Sequence, residues 1–234
     1  DSRDMVIDRV KQGIANHFEQ TPFKAWNRNC KGLMICGYDI IAARPGMGKT
    51  TIMMTFARFL GEKGIPVAIL SYEMSKEVIF SMMACSIGKV SRKKVNRTKE
   101  EIKELSGRDL DDHNRMMIKY REACEIIRGM PIHIYDETDF GSTIEQLTPF
   151  IQVKERKHGI KYFFGDYLQL IKTRSNKGSR EQEVAHVSGI LKSLPVRLKI
   201  HITFFAQLNR SVEARGGAKR PQLADLRESG SIEQ

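Results

Sequence analysis

A glycine-rich stretch with a lysine and two threonines has the residue types and spacing of a phosphate-binding loop. Residues 43–51 read ARPGMGKTT. Gly46 and Gly48 let the backbone turn its N–H groups toward phosphate oxygens. Lys49 can reach the outer phosphates, and the hydroxyl of Thr50 is a ligand for Mg²⁺. The helix that follows would also offer its positive end to the same anion.

Ala43 departs from the usual pattern of such loops, which has glycine at this position. The position lies where a strand meets the loop, so a methyl group is tolerated there if φ is negative. We therefore predict a working nucleotide site that uses Mg²⁺. The predicted nucleotide-binding residues are Arg44, Pro45, Gly46, Met47, Gly48, Lys49, Thr50 and Thr51.

Two carboxylates and an amide follow three other apolar runs. Glu73 comes after VAILSY, Asp166 after KYFFG and Gln207 after ITFFA. In a parallel α/β sheet, ligands bind beyond the carboxyl ends of the strands, so these side chains and the loop should share one edge. Each also has a simpler explanation: Glu73 as part of the next helix near Ser75, and the other two as ordinary strand-end residues.

Together with Lys49, these three residues form the predicted catalytic set. Asp166 would share the Mg²⁺ ion with Thr50. Glu73 would orient and deprotonate the attacking water. Gln207 would sense the outermost phosphate and pass that information to the segment that follows it.

The elements that must position these residues alternate between strand and helix. Apolar runs at 37–43, 65–73, 130–136, 161–170 and 200–208 predict strands. Helices are expected near 49–62, 75–88, 142–158 and 180–199, and within the charged segment 89–130. This order predicts an α/β fold with a mainly parallel sheet and helices on both faces.

Three local features add detail. Residues 2–19 have helical spacing of apolar side chains, and 19–32 read as a loop, so we expect a linker helix or arm over 1–22 and one domain over 23–234. Gly165 inside a strand suggests a bulge or a close backbone approach. Pro195 inside a helical stretch predicts a break or kink.

Composition narrows the class of protein. The chain has 234 residues and a net charge of +11, which favours a polyanionic partner such as nucleic acid. No apolar run approaches the ~20 residues of a membrane span, and no secretory leader is evident, so we expect no membrane association and a cytoplasmic location. The four cysteines lack CxxC spacing and are interpreted as reduced core thiols.

Five stretches resemble the ATPase domain of the hexameric DnaB-type replicative DNA helicases. They read AARPGMGKT, SYEMS, DYLQL, AQLNRSVEAR and RPQLADLRESGSIEQ, and the resemblance covers roughly residues 32–234. It implies a RecA-like P-loop NTPase core preceded by a linker helix, with ATP held between neighbours in a homo-hexamer. Single-stranded DNA would pass through the central channel, and a primase and a helicase loader would be partners.

The resemblance assigns roles to individual residues. Lys49 and Thr50 match the phosphate and Mg²⁺ ligands, Glu73 the catalytic glutamate, Asp166 the second acidic motif and Gln207 the glutamine coupled to the γ-phosphate. The DNA-binding residues that it implies are Arg227, Glu228, Gly230, Lys172, Arg174, Lys177 and Arg180. Without it, Arg227 and Glu228 would equally suit a solvated, salt-bridged loop.

Some features depart from the family pattern. Residues 21–32 lack the expected pattern of Gly and Asp, Gly165 replaces an aliphatic residue, and Pro195 is unusual in its helix. The family continues past the position of Gln234 with further strands and a basic finger that reaches the neighbour's γ-phosphate. We therefore expect the ATPase domain to be truncated at its C-terminal end.

Two alternative functions use the same cradle. A RecA-like recombinase would coat DNA as an open filament instead of forming a closed ring. A non-catalytic nucleotide switch would recruit replication partners and would need no general base at Glu73.

Overall fold

The fold is built on a five-stranded parallel sheet. In the computed structural model, which describes residues 18–174 and 179–208, the spatial order of the strands is β3-β7-β6-β4-β5. Their bounds are β3 Tyr38–Ala43, β4 Val67–Ser71, β5 Ile132–Asp136, β6 Tyr162–Asp166 and β7 His201–Gln207. All four neighbouring pairs are parallel. The predicted α/β class is confirmed.

Helices cover both faces of this sheet. They are α1 Lys24–Cys30, α2 Lys49–Glu62, α3 Lys76–Gly88, α4 Arg92–Val95, α5 Lys99–Lys103, α6 Gly107–Arg128, α7 Glu137–Phe140, α8 Ile144–His158 and α9 Arg180–Leu198. Helices α2, α3 and α6 pack on one face, and α8 and α9 pack on the other. The helices predicted near 49–62, 75–88, 142–158 and 180–199 are therefore present, and the charged segment 89–130 forms three helices, α4, α5 and α6.

The central strands explain how the two cores stay separate. In β6, Phe163 belongs to the core under α8 and α9, whereas the next residue, Phe164, belongs to the core under α2 and α3. Successive side chains of a strand point to opposite faces, so one apolar run supplies both cores. All five residues of β4 and of β6 are buried, as expected for strands covered on both sides.

The segment before the sheet differs from expectation. The helix predicted for 2–19 lies largely outside the described residues, but Phe18–Glu19 form a short strand, β1, antiparallel to β2 at Leu33–Met34. Residues 19–32, predicted as loop, contain α1. The Trp26 indole packs edge-on against Phe56 of α2 at a centroid distance of 5.6 Å, and this apolar contact gives the short helix a place on the domain.

Gly165 and Pro195 are accommodated differently from the prediction. The β6–β7 register runs through Gly165 without a bulge, and the ring of Phe204 occupies the space that a Cβ at Gly165 would fill. Helix α9 continues through Pro195 to Leu198. Proline removes one donor near the end of the helix, and the N–H groups of Lys199 and Ile200 both bond to the Pro195 carbonyl, closing the last turn.

Two smaller points concern cysteines and membranes. Cys85 and Cys124 are buried thiols, but Cys30 is exposed and Cys36 is half-buried, so the interpretation of all four as core residues is wrong.

Within the described ranges, none of the helices combines the length and apolar character needed to cross a bilayer.

Candidate nucleotide site

The carboxyl ends of four strands meet along one rim of the sheet. Ser71 at the end of β4 is opposite Asp166 at the end of β6, and Asp166 is opposite Phe205 of β7. Gln207, two residues further along β7, is opposite Ala43 at the end of β3. Because all pairs are parallel, the structure brings the phosphate loop and the three other predicted catalytic residues to the same edge.

The phosphate loop has the backbone that its glycines were predicted to supply. Gly46 and Gly48 have φ of 75° and 85°, in the region that favours glycine, and Gly48 is the N-cap of α2. No side chain caps this helix, so the N–H groups of its first turn are available to an anion. A Cβ built at Gly46 would meet nothing within 4 Å. Only conformation, and not crowding, therefore demands glycine there.

Position 43 does not require glycine. Ala43 lies within β3, paired with Gln207, and it is not among the described non-glycine residues with positive φ. This agrees with the prediction that a methyl group is tolerated at the start of the loop.

The remaining loop side chains differ in exposure. Pro45, Met47 and Thr51 are exposed, with Met47 at 60%, whereas Arg44 and Lys49 are half-buried. Lys49 is the first residue of α2 and makes no salt bridge to the part of the chain that the structure describes. Its ammonium group is therefore not committed to an internal carboxylate.

Thr50 and Asp166, separated by 116 positions in the chain, are in direct contact. The Thr50 hydroxyl donates to Oδ2 of Asp166 at 2.6 Å. Asp166 is only 1% exposed, and its other oxygen, Oδ1, is buried with no hydrogen-bond partner among the described residues. Buried polar atoms are normally paired, so this orphaned oxygen beside a hydroxyl fits a hard cation such as Mg²⁺.

Glu73 lies on the same rim but outside the helix that follows. Helix α3 begins at Lys76 with Ser75 as its N-cap, and Glu73 is exposed in the preceding turn. The turn is shaped by Ser71, whose hydroxyl accepts the N–H of Met74 at 3.1 Å. The simpler explanation, in which Glu73 belongs to the helix start, is not supported by this geometry.

The electrostatics of Tyr167 link it to both acidic residues. Burial raises the pKa of Tyr167, and the negative charges of Glu73 and Asp166 raise it further. Both carboxylates therefore act on one phenol group that directly follows β6.

Gln207 is held by a residue that the sequence did not single out. Nε2 of Gln169 donates to the Gln207 carbonyl at 2.9 Å, and Oε1 of Gln169 accepts the Gln207 N–H at 3.2 Å. Gln169 lies in a 3₁₀ turn, Leu168–Leu170, where the sequence predicted that β6 would continue. A strand assignment hides this role, since only the turn brings the amide alongside β7.

The candidate DNA-binding residues are only partly described. Lys177, Arg227, Glu228 and Gly230 lie outside the described residues. Lys172 is exposed, and its backbone forms an isolated parallel β-bridge with Thr143. The backbone N–H of Arg174 donates to Glu145 at 3.3 Å. Both flank the same rim as the nucleotide site.

The Arg180 side chain is partly exposed, but its guanidinium is not free. Its guanidinium donates to the Glu183 carboxylate and to the carbonyls of Gln169 and Ile171. Burial alone would raise the pKa of Glu183, but hydrogen bonds from the Thr173 N–H and from Arg180 lower it overall. Arg180 thus ties the start of α9 to the turn after β6.

Comparison with known proteins supports the geometric findings. A sequence model described as "DnaB-like helicase C terminal domain" matches residues 20–234. The chain is 37% identical over 215 residues to the replicative DNA helicase DnaB of Buchnera aphidicola subsp. Baizongia pistaciae, covering 92% of this chain and 44% of that protein. It is 33% identical over 221 residues to the Haemophilus influenzae protein of the same name, covering 92% and 43%.

A plasmid-borne relative and two solved structures are also similar. A probable plasmid replicative DNA helicase of Chlamydia psittaci is 34% identical over 200 residues, covering 84% of this chain and 40% of that protein. The chain therefore spans less than half the length of these relatives. A solved structure described as an ATPase domain superimposes with a TM-score of 0.79 at 26% identity, covering 99% of this chain and 78% of that one. A DnaB-like replicative helicase, described with its interactions with primase, gives 0.80 at 26% identity, covering 98% and 54%.

Proposed function

This chain belongs to the family of DnaB-like helicase C-terminal domains, and we propose that it is a motor domain that couples ATP hydrolysis to movement along single-stranded DNA. The observation that carries the proposal is the contact between Thr50 of the phosphate loop and the buried Asp166. It joins the phosphate cradle to the acidic strand end, as an ATP·Mg²⁺ site requires.

The residues divide the work of hydrolysis. The first-turn N–H groups of α2 and the Lys49 ammonium bind and orient the phosphates. Thr50 and Asp166 would hold Mg²⁺, which when bound neutralises phosphate charge. Glu73, exposed on the rim, takes the proton of the attacking water. Gln207 contacts the outermost phosphate and reports its loss.

Basic residues beside this rim suit a DNA backbone. Lys172 and Arg174 flank it, and the family resemblance adds Lys177, Arg227, Glu228 and Gly230 to the surface that binds DNA phosphates, whereas the guanidinium of Arg180 is already bonded to Glu183. Phosphate contacts carry no base code, so binding should tolerate any sequence and weaken steeply with salt. The net charge of +11 is consistent with such a partner.

Assembly and partners extend the proposal. We infer a cytoplasmic homo-hexamer that encircles single-stranded DNA, with ATP between subunits, and that works with a primase and a loader. Support for the primase alone comes from the solved DnaB-like relative that is described together with primase. Membership in a helicase family favours this ring over the filament recombinase and over the non-catalytic switch.

The test is ATP hydrolysis by the full-length protein, with and without single-stranded DNA. Lys49→Ala should reduce DNA-stimulated turnover by roughly 10²-fold or more, because the outer phosphates lose their cation. Lys103→Ala, on the exposed short helix α5, is the matched control and should behave as wild type. Undiminished stimulated hydrolysis in Lys49→Ala would refute the nucleotide site. Electron microscopy of the same sample distinguishes rings from filaments.

A further inference from the structure

The hydrogen bonds of Gln169 replace a missing stretch of sheet. Strand β6 ends at Asp166, opposite Phe205, while β7 continues to Gln207. Extending the register by two residues would put Leu168 beside Gln207, but Leu168 begins the 3₁₀ turn. The side-chain amide of Gln169 makes the hydrogen bonds that a neighbouring strand would make: it accepts the N–H of Gln207 and donates to its carbonyl.

The two hydrogen bonds between the Gln169 amide and the Gln207 backbone, here called the clamp, hold Gln207 on the side of β7 that faces β6. On the other side, β7 is held by β3, with Ala43 opposite Gln207 and the Leu208 N–H donating to the Ala43 carbonyl at 3.1 Å. Both backbone polar groups of Gln207 are thus used by one side chain. The Gln207 side chain makes no hydrogen bond to a described residue and is left to meet a ligand at the rim.

The turn that carries Gln169 is also anchored to the loop at 171–174. The Gln169 carbonyl accepts from Arg180, which pairs with Glu183, and Glu183 accepts the Thr173 N–H at 2.8 Å. A continuous set of bonds therefore runs from Gln207 to the segment that contains Lys172 and Arg174. If Gln207 or the loop at 171–174 moves, the clamp must either break or move with it, because its two hydrogen bonds belong to one network.

We propose that Gln169 is a positioning residue that holds Gln207 at the nucleotide and couples it to the basic loop after β6. This inference rests on the proposed ATP-driven function. Gln169 does not touch the reacting atoms. It acts through the backbone of Gln207 on one side and through Arg180 on the other.

The experiment replaces the amide while keeping its size, in the full-length protein. Gln169→Met retains the length of the side chain but removes both hydrogen bonds. Gln169→Glu retains an acceptor for the Gln207 N–H but cannot donate to its carbonyl. Gln152→Met, on the half-exposed middle of α8, is the matched control for a Gln-to-Met change.

Turnover is measured with and without single-stranded DNA over a range of ATP concentrations. Both Gln169 variants should lose roughly tenfold or more of DNA-stimulated kcat, while the KM for ATP changes less than about threefold. The stimulation ratio should fall toward one. Hydrogen exchange of residues 201–208 should accelerate in Gln169→Met, since the Gln207 N–H loses its acceptor.

Two results would overturn the inference. One is a Gln169→Met variant with wild-type stimulation, which would make the amide irrelevant to coupling. The other is an equal loss of basal and stimulated turnover, which would indicate a purely structural role. A wild-type protein without any DNA-stimulated hydrolysis would instead reject the proposed function, so the two failures are distinguishable.

Discussion

Replacing Gly165 by alanine is expected to destabilise the domain through one specific contact. A Cβ at this position would lie 2.1 Å from Cε1 of Phe204 and 2.5 Å from its Cδ1 and Cζ. Ordinary carbon contacts begin near 3.5 Å, so the ring and the strand must separate by roughly 1 Å. Phe204 of β7, the strand between β3 and β6, is fully buried, so its ring cannot move aside into solvent.

The magnitude follows from overpacking a closed core. Inserting a methyl group into a well-packed site costs about 1–3 kcal/mol, and we expect the upper half of that range because the obstacle is a buried ring. For a domain of this size, such a loss lowers Tm by roughly 4–12 °C. ATP hydrolysis should also fall, since Asp166 is the next residue of the same strand.

Urea and thermal unfolding of four variants, including the Gly165→Ala/Phe204→Leu double variant, test this explanation. Phe204→Leu should cost about 1–2 kcal/mol alone, but it should restore stability to Gly165→Ala, giving a favourable coupling of at least about 1 kcal/mol. Gly189→Ala is the control, because Gly189 lies in α9 with nothing within 4 Å of its Cβ position, and it should be neutral or stabilising by up to ~1 kcal/mol. Additive losses in the double variant, or a harmless Gly165→Ala, would refute the reasoning.

Three further changes have defined outcomes. Glu73→Gln should leave binding of a fluorescent ATP analogue within about threefold but slow hydrolysis by roughly 10²–10⁴-fold, because only the general base is lost; equal activity would contradict its role. Asp136→Ala should cost about 1–3 kcal/mol in urea unfolding, since its carboxylate accepts the N–H groups of Lys76 and Thr138 at 3.0 Å each. The hydrogen bond from the Thr138 hydroxyl lowers the pKa of Asp136 below its ordinary 3.8, so the stability difference between wild type and variant should shrink as pH falls below that value. Burial lowers the pKa of His201 below its ordinary 6.5, so the unfolded chain protonates first and stability should decline as pH drops through 6.5; His201→Gln should flatten that decline, and an unchanged slope would contradict it.

The sequence predicts the rim of the site well because its signals are local. The glycines at 46 and 48, the apolar runs and the residues that follow them fix strand ends without knowledge of distant contacts. The contact between Thr50 and Asp166 then follows from parallel topology. The common edge could therefore be reached from pattern alone.

Other features depend on contacts that no local pattern contains. The clamp of Gln169 exists only because β6 stops short of β7. The close approach at Gly165 depends on Phe204, 39 positions later in the chain. The hydrogen bonds of Arg180 depend on Glu183 and on carbonyls of the preceding turn. In each case a tertiary partner, and not propensity, decides the outcome.

The strand order affects how the protein folds while the ribosome synthesises it. Among the described strands, β3 pairs with β7 alone, and β7 is the last to be synthesised. More than 150 residues must therefore be synthesised after β3, the strand that leads into the phosphate loop, before β3 can pair in the sheet. Closing so long a loop is slow, so within the described sheet the pairing of β3 with β7 is expected to form last, and chaperones would meet β3 unpaired.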